Sequence, residues 1–128
     1  MTPTYLDTQV TVWIAAAALD RLTEVARKHV RAAAGIRISP AVLLELEYLY
    51  EIKRLLLPAS DIRLKLEKEI GLEVCALAFE QVVTAALIEK WTRDPFDRLI
   101  AAHAKASGFS HLISSDQEIR DHYPRTIW

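Results

Sequence analysis

The sequence predicts an α/β fold in which a small parallel sheet is flanked by helices on both faces. Short β-type runs alternate with longer stretches of helix-forming residues along the chain. Glycine and proline residues separate several of these segments. This alternation is typical of βα units, in which the strands run parallel and the crossover helices cover the sheet.

The first half of the chain supplies two predicted strands, each followed by helix. Gly35 is a natural end for the second helix, and Ser39 and Pro40 provide an N-cap and a first-turn proline for the third. The predicted elements are, in order, a strand at residues 4–6, helices at 10–18 and 20–34, a strand at 36–38 and a helix at 41–57.

The second half repeats the pattern. Pro58 ends the preceding helix, and Gly71 and Gly108 end later ones. The predicted elements are a helix at residues 60–69, a β-type segment at 72–75, an amphipathic helix at 79–91, a helix at 95–107 and a strand at 111–114. Since there is no linker or internal repeat, we expect a single domain over residues 1–128.

Composition limits the possible settings and partners. The chain has 128 residues and 52% hydrophobic content, enough for a core without disulfide or metal staples. The single cysteine, Cys75, fits a reducing compartment. The apolar stretch at residues 12–19 is too short to span a bilayer, so we expect a cytoplasmic protein with no membrane contact. A net charge of -1 gives no bulk attraction for nucleic acid, which would need a local basic patch or a bound metal.

Asp7 and Asp116 lie near the carboxyl ends of predicted strands. In open parallel sheets, ligands bind beyond this end of the strands. The two acids, distant in sequence, are therefore expected to meet at one edge. Each also has a simpler interpretation, because aspartate commonly caps the helix that follows.

Glu45 interrupts an apolar helix face. At about 100° per residue, one stripe of the third helix contains residues 41, 45, 49, 52 and 56, and a nearly opposite stripe contains 47, 51 and 54. Glu47 is accordingly predicted to be solvated. An unpaired carboxylate on the apolar face would be costly, so the alternative to a metal site is a buried ion pair with Arg37 or Arg98.

Asp94 and Asp97 fit the start of a helix, as its N-cap and third helical residue with Pro95 between them. The helix dipole favours both acids there, so stability alone could account for them. The small apolar residues at 99–102 predict close packing against the sheet, which would hold Asp97 near the strand ends.

The four acidic stretches also occur in an order found in one family. They are Leu6-Asp7-Thr8, Ser39 followed by Glu45, the run from Asp94 to Ala102, and Ile113-Ser114-Ser115-Asp116. Together they resemble a PIN-domain ribonuclease of the VapC toxin type, and the resemblance covers essentially the whole chain.

The resemblance implies a catalytic and metal-binding set consisting of Asp7, Glu45, Asp97 and Asp116. The supporting residues it implies are Thr8, Asp94, Arg98 and Ser114. Ser114 matches a hydroxyl residue that supports the last acid, whereas Ser115 stands where many relatives have a basic residue. For Arg98, an ion pair with Glu45 or Asp94 is an equal alternative to a role in binding the substrate.

Clustered carboxylate oxygens suit Mg²⁺ or Mn²⁺. The four histidines are scattered and Cys75 is alone, so no zinc-type spacing occurs. A bound divalent ion would activate water and neutralise charge on a scissile phosphate. The resemblance implies an endoribonuclease that hydrolyses RNA phosphodiester bonds, with transfer RNA among the candidate substrates. It also implies a toxin–antitoxin pair with a cognate antitoxin and a homodimer.

Two other functions remain open. One is a catalytically silent PIN-like domain that binds RNA or protein, although intact acids favour the nuclease. The other is a receiver-like phosphoacceptor domain, which needs a second acid beside the first strand's aspartate and a lysine after a late strand. Asp7 has no acidic neighbour, and the segment from Ser114 to Asp116 contains no lysine.

Overall fold

Five short parallel strands form one sheet in the order β3-β2-β1-β4-β5. The computed structural model describes residues 2–128. The strands are β1 (Thr4–Leu6), β2 (Ile36–Ile38), β3 (Glu73–Val74), β4 (His111–Ile113) and β5 (Thr126–Ile127). The helices are α1 (Thr8–Ala15), α2 (Glu24–Ala32), α3 (Pro40–Glu51), α4 (Ala59–Ile70), α5 (Phe79–Ala86), α6 (Pro95–Ala106) and α7 (Gln117–His122), with a 3₁₀ turn at Leu19–Arg21. The predicted α/β class is confirmed.

The strand order reverses direction at β1, the central strand. From β1 the chain moves outward to β2 and β3, then returns to the other side of β1 to form β4 and β5. Right-handed crossovers place the helices of these two halves on opposite faces of the sheet. Leu6 at the end of β1 pairs with Ile113 at the end of β4, so the two strands end side by side.

The core lies around the two middle strands. All three residues of β1 are buried, as are Leu112 and Ile113 of β4. On α6, Ala101, Ala102 and Ala104 are fully buried, which agrees with the close packing that its small residues predict. This packing places the first turn of α6 near the strand ends.

Three predicted helices are shorter than the sequence suggests. The predicted helix at residues 41–57 ends at Glu51, because Lys53 adopts a left-handed backbone with φ of 65°. Ile52 and Leu56 consequently leave the apolar stripe, and Leu56 is 97% exposed. The predicted helix at 79–91 ends at Ala86, and that at 10–18 begins at Thr8 and ends at Ala15.

The predicted helix at residues 20–34 is divided in two. A 3₁₀ turn occupies Leu19–Arg21, and α2 begins only at Glu24, where Thr23 caps it by accepting a hydrogen bond from Ala26 N–H. The predictions missed α7 and β5, which are six and two residues long. Over residues 2–128, every helix is too short or too polar to cross a membrane.

Candidate active site

A cleft of about 370 Å³ opens at the carboxyl ends of β1 and β4. The sequence-predicted acids all line it, although they come from four separate parts of the chain. Its polar lining residues are Asp7, Thr8, Gln9, Glu45, Asp94, Asp97, Ser115 and Asp116, and its apolar ones are Leu49, Ile100 and Ile119.

Asp7 connects β1 to α1 and is only 6% exposed. One oxygen of its carboxylate caps α1 by accepting a hydrogen bond from Val10 N–H at 2.8 Å. Burial raises the pKa of Asp7 to about 6, and the charges of Asp116 and Glu45 add to this effect. The Ser114 hydroxyl and the Val10 N–H act in the opposite direction. Asp7 thus both caps α1 and lines the cleft.

Asp116 follows β4 in a loop held by Ser114. The Ser114 side chain is fully buried, and its oxygen accepts a hydrogen bond from Asp116 N–H at 3.1 Å. The Asp116 carboxylate caps α7 by accepting from Ile119 N–H, also at 3.1 Å. Because β1 and β4 are neighbours, this loop places Asp116 beside Asp7.

The first turn of α6 contributes two acids with different surroundings. Asp94 is exposed and caps the helix, accepting hydrogen bonds from Phe96 N–H at 2.8 Å and Asp97 N–H at 3.4 Å. Asp97 is half-buried within the cleft. Burial raises the pKa of Asp97 to about 7, with further increases from the charges of the other cleft acids.

Glu45 reaches the cleft from the middle of α3. Its carboxylate accepts a hydrogen bond from the hydroxyl of Thr8, at the start of α1. Burial raises the pKa of Glu45, the Thr8 hydrogen bond lowers it, and the charge of Asp94 raises it. Glu45 and Asp97 thus line the same cleft from two different helices.

The alternative in which basic residues neutralise these acids is wrong. Among residues 2–128, the salt bridges are Arg63–Glu67, Lys65–Glu69 and Lys105–Glu89, and all of them lie outside the cleft. Arg98 instead donates from Nε to the carbonyl oxygens of Glu89 and Thr92, both at 2.9 Å. Its predicted pairing with Glu45 or Asp94 does not occur, and it does not line the cleft.

Glu47 also differs from its predicted state. It is half-buried, and its carboxylate accepts a hydrogen bond from Ala59 N–H at 3.0 Å. This contact caps α4, whose N-cap residue Pro58 has no side-chain acceptor. Glu47 is therefore a structural residue that joins α3 to α4, whereas Glu45 faces the cleft.

Two features near the cleft were not predicted. Gln9 lines the cleft directly after Asp7 and Thr8, so the motif itself could have indicated it. Glu89 is 7% exposed and accepts hydrogen bonds from Trp91 Nε1 at 2.5 Å and Lys105 Nζ at 3.4 Å. These hydrogen bonds stabilise the loop before Asp94. No sequence pattern distinguishes Glu89 from a solvated acid.

The donor set fits a hard divalent cation. Its side-chain oxygens come from carboxylates, hydroxyls and the Gln9 amide. Burial and the neighbouring acids raise the pKa values of Asp7 and Asp97, and a bound cation would lower them. Within residues 2–128 no three His, Cys, Asp or Glu side chains are arranged to hold an ion together. Mg²⁺ does not require three protein ligands, because it commonly retains several waters and binds through one or two carboxylates. The cleft therefore suits Mg²⁺.

The lining of the cleft also bears on the receiver-like alternative. A phosphoacceptor site of that type needs a lysine near its aspartates. The residues that line the cleft include no lysine over the part of the chain that the structure describes, residues 2–128. The receiver-like function is therefore not supported.

Comparison with solved structures gives two matches that cover almost the whole chain. The first is the VapBC2 crystal structure from Rickettsia felis bound to a promoter DNA fragment, at 18% identity and a TM-score of 0.61, covering 96% of this chain and 94% of that one. The second is the DNA-bound VapBC crystal structure from Salmonella typhimurium, at 22% identity and a TM-score of 0.54, covering 98% and 96%. At these identities the matches establish the fold.

Comparison with curated protein sequences gives no match. The family model of the PIN domain, in contrast, matches residues 4–123, which include every acid of the cleft. The resemblance that the acidic motifs indicate is thus confirmed across nearly all of the sequence. The chain belongs to the PIN domain family.

Proposed function

We propose that this protein is a Mg²⁺- or Mn²⁺-dependent endoribonuclease and the toxin component of a toxin–antitoxin pair. One observation carries the proposal: Asp7, Glu45, Asp97 and Asp116 share a cleft in which no basic side chain pairs with them in residues 2–128. Such a cluster repels a phosphodiester unless a cation is added. Membership of the PIN domain family supports a nuclease.

Asp7, Asp97, Glu45 and Asp116 would hold the cation together, one or two of them by direct contact and the others through its bound waters. When bound, it would supply the positive charge that lowers the pKa of a nucleophilic water and balances charge on the scissile phosphate. Thr8 orients the Glu45 carboxylate, and Ser114 fixes the Asp116 loop. The caps formed by Asp7 and Asp116 each use one carboxylate oxygen and leave the other for the cleft.

RNA is the proposed substrate on the strength of the family resemblance, with transfer RNA among the candidates. The likeness to VapBC complexes supports a cognate antitoxin as partner. We also propose that the protein is a homodimer and that residues 1–128 form a single PIN-like domain. A cytoplasmic location fits both an RNA substrate and the free thiol of Cys75.

The test is cleavage of a mixed RNA pool by purified protein. Mn²⁺ or Mg²⁺ should support cleavage, EDTA should stop it, and restored metal should recover it. An Asp97→Asn protein prepared in parallel controls for contaminating nuclease. If the wild type binds RNA but cuts none at any metal concentration, the protein is a silent PIN-like binding domain and the proposal fails.

A further inference from the structure

Two buried polar side chains outside the cleft join the helices that supply Glu45 and Asp97. Ser39, the N-cap of α3, is fully buried, and His103 of α6 is 5% exposed. Ser39 Oγ and His103 Nδ1 lie 2.8 Å apart, although the residues are 64 positions apart in sequence. This contact is not part of the acidic cleft.

The hydrogen bonds around His103 define its protonation. Burial lowers its pKa to about 4, so the imidazole is neutral near pH 7. Nδ1 also lies 3.1 Å from the carbonyl oxygen of Leu99, which can only accept, so Nδ1 carries the hydrogen. That one hydrogen is shared between the Leu99 carbonyl oxygen and Ser39 Oγ, which also accepts from Ala41 N–H at 3.1 Å. The Ser39 hydroxyl thus contacts polar groups of both helices.

The two helices run past each other in opposite directions. Ser39 contacts His103, while Glu45 lies further along α3 and Asp97 lies nearer the start of α6. Each acid is six residues from the hydrogen-bonded residue on its own helix. At 1.5 Å per residue, this corresponds to roughly 9 Å along each helix axis. The Ser39–His103 contact and the two acids therefore lie at different positions along the same pair of helices.

We propose that the Ser39–His103 hydrogen bond sets the axial alignment of α3 and α6, and so the separation of the Glu45 and Asp97 carboxylates. His103 is then a positioning residue for the cleft. Leu44 of α3 and Phe96 and Leu99 of α6 line one groove together with His103. The hydrophobic effect is non-directional, whereas a buried hydrogen bond has a defined length and direction.

The effect on catalysis rests on the proposed function, but the effect on the carboxylates does not. Glu45 and Asp97 line one cleft from the two helices that the Ser39–His103 hydrogen bond joins. If α3 and α6 lose their alignment, the distance between these two carboxylates should change in metal-free protein.

The experiment compares His103→Leu and Ser39→Ala with wild type. Crystal structures of the metal-free proteins should show a changed distance between the Glu45 and Asp97 carboxyl carbons in both variants. Mn²⁺ affinity, measured by electron paramagnetic resonance, should fall roughly tenfold, the low end for residues that support metal ligands. For RNA cleavage, kcat should fall while KM stays unchanged. His103→Gln, whose amide can donate in place of Nδ1–H, should recover part of the loss.

Thr23→Ala is the matched control, because Thr23 caps α2 as Ser39 caps α3 but lies away from the cleft. It should lower stability without changing the Glu45–Asp97 distance or Mn²⁺ binding. The proposal is overturned if His103→Leu and Ser39→Ala behave like Thr23→Ala. A wild type that neither binds Mn²⁺ nor cuts RNA would refute the proposed function alone, since the metal-free structures still decide whether His103 positions the carboxylates.

Discussion

The hydroxyl of Thr8, at the start of α1, donates a hydrogen bond to the carboxylate of Glu45 on α3. Thr8 directly follows Asp7, and it is 7% exposed. The bond links the first strand–helix junction to the third helix. It holds the Glu45 carboxylate in the cleft and favours its ionised form.

Thr8→Val should therefore raise the pKa of Glu45 and weaken Mn²⁺ binding near neutral pH, because the valine has a similar shape but cannot donate. Carboxyl NMR titration and Mn²⁺ binding measure the two effects. Thr8→Ser retains the hydroxyl and should stay close to wild type. Equal behaviour of the valine and serine variants would show that the hydroxyl does not matter.

Asp7→Asn and Asp97→Asn should each lower the rate of RNA cleavage by orders of magnitude while the fold is retained, since each removes a charge that would hold the activating cation. Asparagine can still cap α1 in place of Asp7. Single-turnover cleavage assays and circular dichroism give the two readouts. Cleavage at the wild-type rate by both variants would refute the site assignment.

Asp97 should also make the stability of metal-free protein depend on pH. Its pKa is raised to about 7 in the folded protein, so between its unfolded pKa and that value the folded state binds more protons than the unfolded state. Asp97 therefore makes its full contribution to the free energy of unfolding below its unfolded pKa. That contribution is lost as pH rises through about 7.

In EDTA, the Tm of wild type relative to Asp97→Asn should consequently decrease as pH is raised from acidic to mildly alkaline values. His103 has a lowered pKa and an opposite dependence, but it is present in both proteins and cancels from the difference. Mn²⁺ at alkaline pH should raise the Tm of wild type more than that of the variant. A difference in Tm that is independent of pH would contradict the raised pKa of Asp97.

Replacing Glu45 or Glu47 by alanine should affect different properties of the protein. Glu45→Ala should reduce Mn²⁺ affinity and cleavage with little loss of stability, because burying its charge is already costly. Glu47→Ala should lower the free energy of unfolding by about 1 kcal/mol, since it removes the cap of α4. Chemical denaturation and Mn²⁺ binding separate the two. Identical losses in both measurements would mean that the two residues share one role.

The sequence predicted the strands β1, β2 and β4, and the acids Asp7 and Asp116 that follow β1 and β4, because these features are local. An apolar run followed by Asp7 can be recognised without knowing the fold. Helical spacing put Glu45 on an apolar face and left an ion pair and a metal site open, and the family resemblance implied its place among the site acids. The spacing argument also wrongly extended the apolar stripe to Leu56. Residues 52–57 contain no glycine or proline that would signal an early helix end.

Contacts between distant residues could not be predicted in the same way. Pairing with an acid was one of two alternatives for Arg98, but carbonyl oxygens of the loop before α6 occupy its Nε. Glu47 was expected in solvent, but the start of α4 lies beside it. The Ser39–His103 bond joins residues 64 positions apart. Each partner becomes evident only once the helices are packed.

The central position of β1 has a consequence for synthesis of the protein. This strand is made first, yet one of its edges pairs with β4, which the ribosome produces only at residues 111–113. Asp116 follows later still. A nascent chain therefore has an incomplete cleft until most of it has left the exit tunnel, so a nuclease of this design would be inert towards the messenger RNA and the ribosome that are translating it.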